Sequence, residues 1–185
     1  MSTLGILDTF PLFEQTWQLV AEKPVEKQIA YWEHLYLSDW PELRQMQVDE
    51  YTQDQMDWKE IARLRIFPRL PSRMPAMQTA HSLLLEVSEG LFQQACSVLN
   101  LDLEAIFVIY VGIGCGAGWV TRYRSRPAIL FGLENIAEEG WARPEILRGL
   151  VSHEIGHLAH YYWLEQAGLN RGEGAWWQLF EEGFA

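Results

Sequence analysis

The chain has 185 residues, 14 of them basic and 25 acidic, for a net charge of −11. That is one domain's length, and 49% apolar against 21% charged residues excludes a disordered tail. Only three lysines occur, which excludes a nucleic-acid binder that tracks phosphates with clustered Lys and Arg.

In chain order, the first hundred residues read as helical. Phe10, Phe13, Trp17 and Val20 recur at helical spacing up to Pro24. A second helix is expected over Val25–Leu37, closed by a turn at Ser38–Pro41, and a shorter one over Asp54–Leu64. Pro68, Pro71 and Pro75 predict an irregular connector. Ala76–Leu99 reads as a long helix burying Leu83, Leu84, Val87, Leu91 and Ala95. His34 and His81 fall in amphipathic helices and read as structural.

From residue 105 the pattern changes. Ile106–Val111 is β-branched and aromatic and predicts a buried strand. Gly112, Gly114, Gly116 and Gly118 follow; their spacing fails the dinucleotide and phosphate-loop patterns and reads as a glycine-rich turn. Trp119–Tyr123 and Pro127–Phe131 predict further strands, so a sheet of two to four strands is expected. Arg122, Arg124 and Arg126 alternate and read as a solvated hairpin face. Pro144 suits a first helical position and Gly168 a C-terminal cap, bracketing a helix whose stripes are apolar on two sides and small on a third, as a central buried helix requires.

Cys96 and Cys115 form no CxxC pair and read as free thiols of a reducing compartment. The first lysine is Lys23 and Asp8 interrupts the early apolar stretch, so no secretory leader is expected. The longest uncharged run, Ala105–Thr121, carries four glycines and predicts no membrane span. The expected location is cytoplasmic, with no membrane and no nucleic-acid partner.

The central helix contains His153-Glu154-Ile155-Gly156-His157, an HExxH pattern. Two histidines four apart stack on one helix face, as two ligands of one tetrahedral zinc require, and Glu154 lies to the side, where a general base for water belongs. A third protein ligand is needed. Continuation as HExxHxxGxxH fails, because position 163 is Trp163 and the glycine position is His160. The alternative is a glutamate from the next helix candidate, Trp176–Ala185: Glu182, with Glu181 as the second choice. His160 reads as supporting the ligands rather than binding metal, and Tyr161 and Tyr162 as core.

His-Glu-Ile-Gly-His followed by Glu182-Gly-Phe-Ala185 resembles the gluzincin metallopeptidases. Trp176–Ala185 is similar to the corresponding segment of the aminopeptidase N family, and that resemblance assigns the zinc ligand to Glu182. The wider pattern, a strand ending in G-x-[DE]-N, then L-V-x-H-E-x-x-H, then E-G-x-A, resembles bacterial predicted zinc-dependent proteases grouped under a domain of unknown function. The resemblance covers about residues 128–185. Two features depart from the aminopeptidases: His157 and Glu182 are further apart, and Phe131 stands where their substrate-anchoring motif has its first glycine. The resemblance implies that Phe131, Gly132 and Glu134 bind substrate, with Glu134 anchoring an amino group, and that Ala128–Leu133 pairs with an extended peptide.

These readings together predict an α+β fold, with residues 1–100 a helical N-terminal region and residues 101–185 a zincin-like core of small sheet, active-site helix and glutamate helix, forming one compact unit. The expected function is zinc-dependent hydrolysis of peptide or protein substrates, with His153, His157 and Glu182 on zinc and Glu154 as base. The alternatives are a non-catalytic zinc-binding or interaction protein, and an aminopeptidase rather than an endopeptidase. Ending at Glu181–Ala185, in mid-helix, the sequence also predicts a cut form of a longer protein, with weakened zinc binding and low activity.

Overall fold

The computed structural model describes residues 2–170, 172 and 174–184, without the side chains at 175, 176, 178, 181 and 184. The protein is mixed α+β. Strand β1 (Thr3–Asp8) is followed by helices α1 (Phe10–Trp17), α2 (Val25–Tyr31), α3 (Pro41–Gln53), α4 (Trp58–Ile61) and α5 (Leu70–Val98). Then come β2 (Glu104–Tyr110), β3 (Trp119–Tyr123), β4 (Arg126–Gly132), α6 (Leu133–Glu138), α7 (Pro144–Gln166) and α8 (Ala175–Phe184). Helices α2 and α4 each run on into a π-helical turn, Trp32–Tyr36 and Ala62–Ile66.

The sheet order is β1-β2-β4-β3. β1, β2 and β4 are parallel, and β3 runs antiparallel to β4. β2 and β4 are central and buried along almost their whole length, which explains their unbroken apolar sequences. A two-residue turn joins β3 to β4, with Arg124 and Ser125 at φ +50° and +64°, the primed geometry that follows strand twist. On one face of the sheet the rings of Phe92, Phe107 and Phe131 stack edge to face at 6.0 and 5.5 Å and seat α5. Helix α7 packs against α5, β3 and β4.

Three features of the N-terminal half differ from the sequence expectation. Residues 3–8 form a strand, so the first hundred residues contribute to the same sheet as the rest. Helix α3 was not expected, because its buried positions Leu43, Gln47 and Tyr51 put a glutamine in the middle of the apolar stripe. The connector at Pro68–Pro75 is helical from Leu70: Pro71 occupies the first turn, and Pro75 forgoes a single N–H donor near the helix start.

The N-terminal helices hold the loop that leaves β2. Tyr36 Oη accepts from the Val111 amide at 3.0 Å, and Trp32 Nε1 donates to the Val111 carbonyl at 2.9 Å. Gln47 Oε1 accepts from the Ile113 amide at 3.2 Å, and Tyr51 Oη donates to the Ile113 carbonyl at 2.7 Å. Glu134, at the start of α6, accepts the Gly112 and Gly114 amides at 2.7 and 3.1 Å. A Cβ at Gly112 would lie 2.5 Å from Gln47 Oε1 and 2.6 Å from Glu134 Oε1, so only glycine admits both side chains there.

No helix among the described residues is long and apolar enough to cross a membrane.

The loop's dependence on Glu134 has a measurable consequence. Glu134→Ala leaves the buried Gly112 amide and the half-buried Gly114 amide without this acceptor and should lower unfolding stability by about 1–3 kcal/mol for the first and less for the second. Burial pushes the Glu134 carboxyl above the usual carboxylate range. A raised folded pKa contributes stability that is full below the unfolded value and is lost as pH rises through the folded one. Urea titrations across that window should show wild-type stability declining with pH and the decline flattened in Glu134→Gln.

Candidate metal centre

Helix α7 carries His157 and His160 buried and His153 half-buried. Arg143 enters in extended conformation, Pro144 takes the first helical position, and Glu145 lies in the first turn, where the helix dipole favours an acid. Gly168, at φ +66°, ends the helix. Its amide bonds to the Glu165 carbonyl at 3.0 Å and the Leu169 amide to the Leu164 carbonyl at 2.9 Å, which is a Schellman cap.

His153 and His157, one turn apart, bring their Nε2 atoms to 3.1 Å. Helix α8 returns across α7 and sets the Glu182 carboxylate against both: Oε2 is 3.3 Å from His153 Nε2, and Oε1 is 3.6 Å from His157 Nε2. Among the described residues these three form the group of donor atoms that could hold a metal ion. The fit can be tested on the spacing. Zinc bonds of about 2.0–2.1 Å at tetrahedral angles put donor atoms roughly 3.3 Å apart. The His153–His157 separation of 3.1 Å is close to that value, Glu182 sets one oxygen 3.3 Å from the first nitrogen and the other 3.6 Å from the second, and one donor atom from each residue lies within 4.8 Å of the others. Two imidazoles with one carboxylate are a zinc-like donor set that leaves a position open. The residues fit the ion. Glu181 falls outside the described side chains.

Glu154 is not one of the three. It is 5% exposed, and its carboxyl lies along the start of β3. A Cβ at Gly118 would come within 2.7 Å of Glu154 Oε1 and 2.9 Å of its Cγ, so the absence of a side chain there is what lets the carboxyl in. Burial first, and then the negative charge of Glu182, push the Glu154 pKa up to about 7. Trp119, the next residue, is tied by its indole N–H to Tyr110 Oη at 3.1 Å. Gly118 is a site residue that sequence reasoning passed over: the alternating glycines were visible, but which of them faces a carboxyl was not.

The ring of His160 packs against α8. It stacks on Trp177 at 5.9 Å and meets Phe180 edge-on at 5.6 Å. These contacts seat α8 on α7 and thereby place Glu182. Tyr161 stacks on His157 with ring centroids 6.4 Å apart. Tyr162 Oη accepts from the Asp102 amide at 3.4 Å.

The expected substrate-binding trio is elsewhere. Phe131 and Glu134 are fully buried. Gly132 is buried at the end of β4 and donates its amide to the Ala117 carbonyl at 3.2 Å. Glu134 is not a free anchor, because both its oxygens receive loop amides. Ala128–Leu133 cannot pair with a peptide either, since β4 lies between β2 and β3. The terminal strands are β1 and β3, and β3 is the one that packs against α7. Arg122 and Arg124 lie on the exposed hairpin, Arg122 within 3.2 Å of Glu165.

No family model, curated protein or solved structure matches the chain.

If Glu182 completes the donor set, Glu182→Ala should weaken zinc binding more than tenfold while leaving the circular-dichroism spectrum unchanged. Equilibrium dialysis with elemental analysis measures this; wild-type affinity in the variant would remove Glu182 from the centre.

Proposed function

We propose that the protein is a zinc-dependent peptidase of the gluzincin type, with β2–β4, α7 and α8 as a zincin-like core. The observation that carries the reading is the convergence of His153 Nε2, His157 Nε2 and the Glu182 carboxylate, the two nitrogens 3.1 Å apart and one carboxylate oxygen within 3.3 Å of the first and the other within 3.6 Å of the second, beside a buried carboxyl that is not one of them. Zinc held by those three residues supplies Lewis acidity, which acidifies water and polarises a carbonyl oxygen.

The chain's own residues divide the remaining work. Glu154 accepts a proton from the attacking water and returns it to the leaving nitrogen, so the acyl carbon gains a hydroxyl as the C–N bond breaks. Its confinement against Gly118 keeps the carboxyl in one place between these two transfers. β3 is a terminal strand, and among the described residues one edge of its backbone has no strand beside it. An extended peptide can add to that edge through main-chain hydrogen bonds, and Gly118, at the head of β3, brings the edge against Glu154. The helices of residues 1–100 act as the loop's support. With Glu134 committed to Gly112 and Gly114, this conformation offers no amino-terminal anchor there, which favours internal cleavage over an aminopeptidase.

Two substitutions test the division of labour on a pool of quenched peptides, with free and with blocked amino termini. Glu154→Gln should retain zinc and lose at least about 100-fold in turnover. Equal turnover in wild type and variant would remove Glu154 from the reaction, and zinc retention without turnover in either would favour a non-catalytic metal site. Gly118→Ala should also keep zinc, because no ligand is touched. Its added methyl displaces the Glu154 carboxyl and should cost roughly 10- to 100-fold in kcat.

A further inference from the structure

Arg73, near the start of α5, is only 8% exposed, and a guanidinium cannot relieve its burial by losing a proton. A buried cation needs anions around it. Arg73 Nη2 lies 2.6 Å from Glu138 Oε1 on α6. The same oxygen lies 2.8 Å from Arg69 Nη1, so one partly exposed carboxylate serves two cations. Arg73 Nη1 is buried and has no hydrogen-bond partner among the described residues. One positive charge of this group is left unanswered by Glu138.

An anion stands beside it. Glu134 lies four residues before Glu138 on α6, so the two carboxyls share a helix face with Cβ atoms about 5–6 Å apart. A guanidinium that meets one of them faces the side that carries the other. Glu134 is fully buried, and the Arg73 charge works there against the effect of burial. The other ionisable groups that act with Glu134 bring no positive charge. Tyr36 on the π-turn, Tyr51 on α3, Tyr110 on β2 and Cys115 on the loop each feel its negative charge, and burial pushes all four pKa values up, which keeps them neutral. Taken together, Arg69, Arg73, Glu134 and Glu138 balance.

The charge state of Glu134 matters to the loop. An ionised carboxyl accepts on both oxygens, whereas protonation turns one oxygen into a donor. The Gly112 amide donates to Oε2 and the Gly114 amide to Oε1, so the loop uses both acceptors of the anion. We propose that Arg73 is the counter-charge of Glu134: it holds that carboxyl as the anion that accepts both loop amides, and is thereby a positioning residue for Gly118 and the Glu154 carboxyl. The step from loop to reaction rests on the peptidase reading above; the pairing of the two charges does not.

The test is a double-mutant cycle read at the loop. Arg73→Gln removes the charge and keeps a donor for Glu138, Arg73→Met removes both, and Arg73→Lys restores the charge. Hydrogen exchange at the Gly112 and Gly114 amides is followed by NMR in the full-length, zinc-loaded proteins, each rate taken against its intrinsic value. Without the arginine the folded pKa of Glu134 rises further, so the loss should grow with pH, from small at about pH 5 to full at about pH 8. At the higher pH both neutral variants should lose about 10-fold or more in protection of these two amides, with β4 amides unchanged, and Arg73→Lys should recover most of it. In a Glu134→Gln background, replacing Arg73 should change protection by less than about twofold. On quenched peptides the neutral variants should show kcat about 10-fold lower, with KM and zinc affinity within about twofold of wild type.

Wild-type protection in both neutral variants, a loss of equal size at the two pH values, or the same loss in the Glu134→Gln background would overturn the pairing. Protection lost at the loop with kcat unchanged would overturn the positioning role. A wild type without turnover removes the peptidase reading, and amide exchange still decides the pairing. Two neutral variants guard against one failing to fold.

Discussion

The Glu134 carboxyl, buried beneath the loop after β2 and receiving the Gly112 and Gly114 amides, is the contact on which the arrangement of the site depends. A chain leaving a fully buried strand cannot satisfy its backbone with water, and every unmet amide there is costly. Here side chains from three separate segments meet that need: Trp32 and Tyr36 on the π-turn after α2, Gln47 and Tyr51 on α3, and Glu134 on α6. Residues that look like a separate helical half of the molecule are therefore the frame for one loop.

That loop decides where β3 begins. It delivers Gly118 and Trp119 to the outer edge of the sheet, and the missing side chain at Gly118 makes room for the Glu154 carboxyl. The Trp119 indole, held by Tyr110 Oη, ties the strand head back to β2. The path from Glu134 to Glu154 is thus continuous: a clamped loop, a placed strand, and a glycine where the carboxyl must pass. Phe131 and Gly132 serve the same purpose from within the sheet.

The second support is aromatic. Helix α8 brings Glu182 to His153 and His157 because Trp177 and Phe180 close over the ring of His160. His160 lies one turn beyond His157, so the helix that presents two histidines to Glu182 also presents the seat for the helix carrying it. The buried Glu154 and the more exposed Glu182 then differ in environment: one is pushed toward neutrality by burial, the other stays at the surface beside the histidines.

Much of this was legible in the sequence. The HExxH stripe placed His153 and His157 on one helix face whatever surrounds it, because the period of a helix is a local property. Gly168 and Pro144 marked that helix's ends for the same reason. The apolar runs of β2 and β4 announced buried strands, and Glu182 was the carboxylate a second helix could return. What local pattern does not carry is pairing between distant segments. β1 is a short, half-exposed edge strand whose partner lies a hundred residues on. α3 hides its stripe behind Gln47, which is buried only because the Ile113 amide needs it. Glu134 looked like a strand-end carboxylate until the loop folded over it, and β4 looked available to a peptide until β3 covered its edge. The sequence by itself determined which residues have the chemistry for a metal centre and which helix presents them. Only the tertiary structure decided which strand has a free edge, which glutamate is spent on backbone amides and which glycine gives Glu154 its place, because each is settled by contacts between segments that no periodicity links.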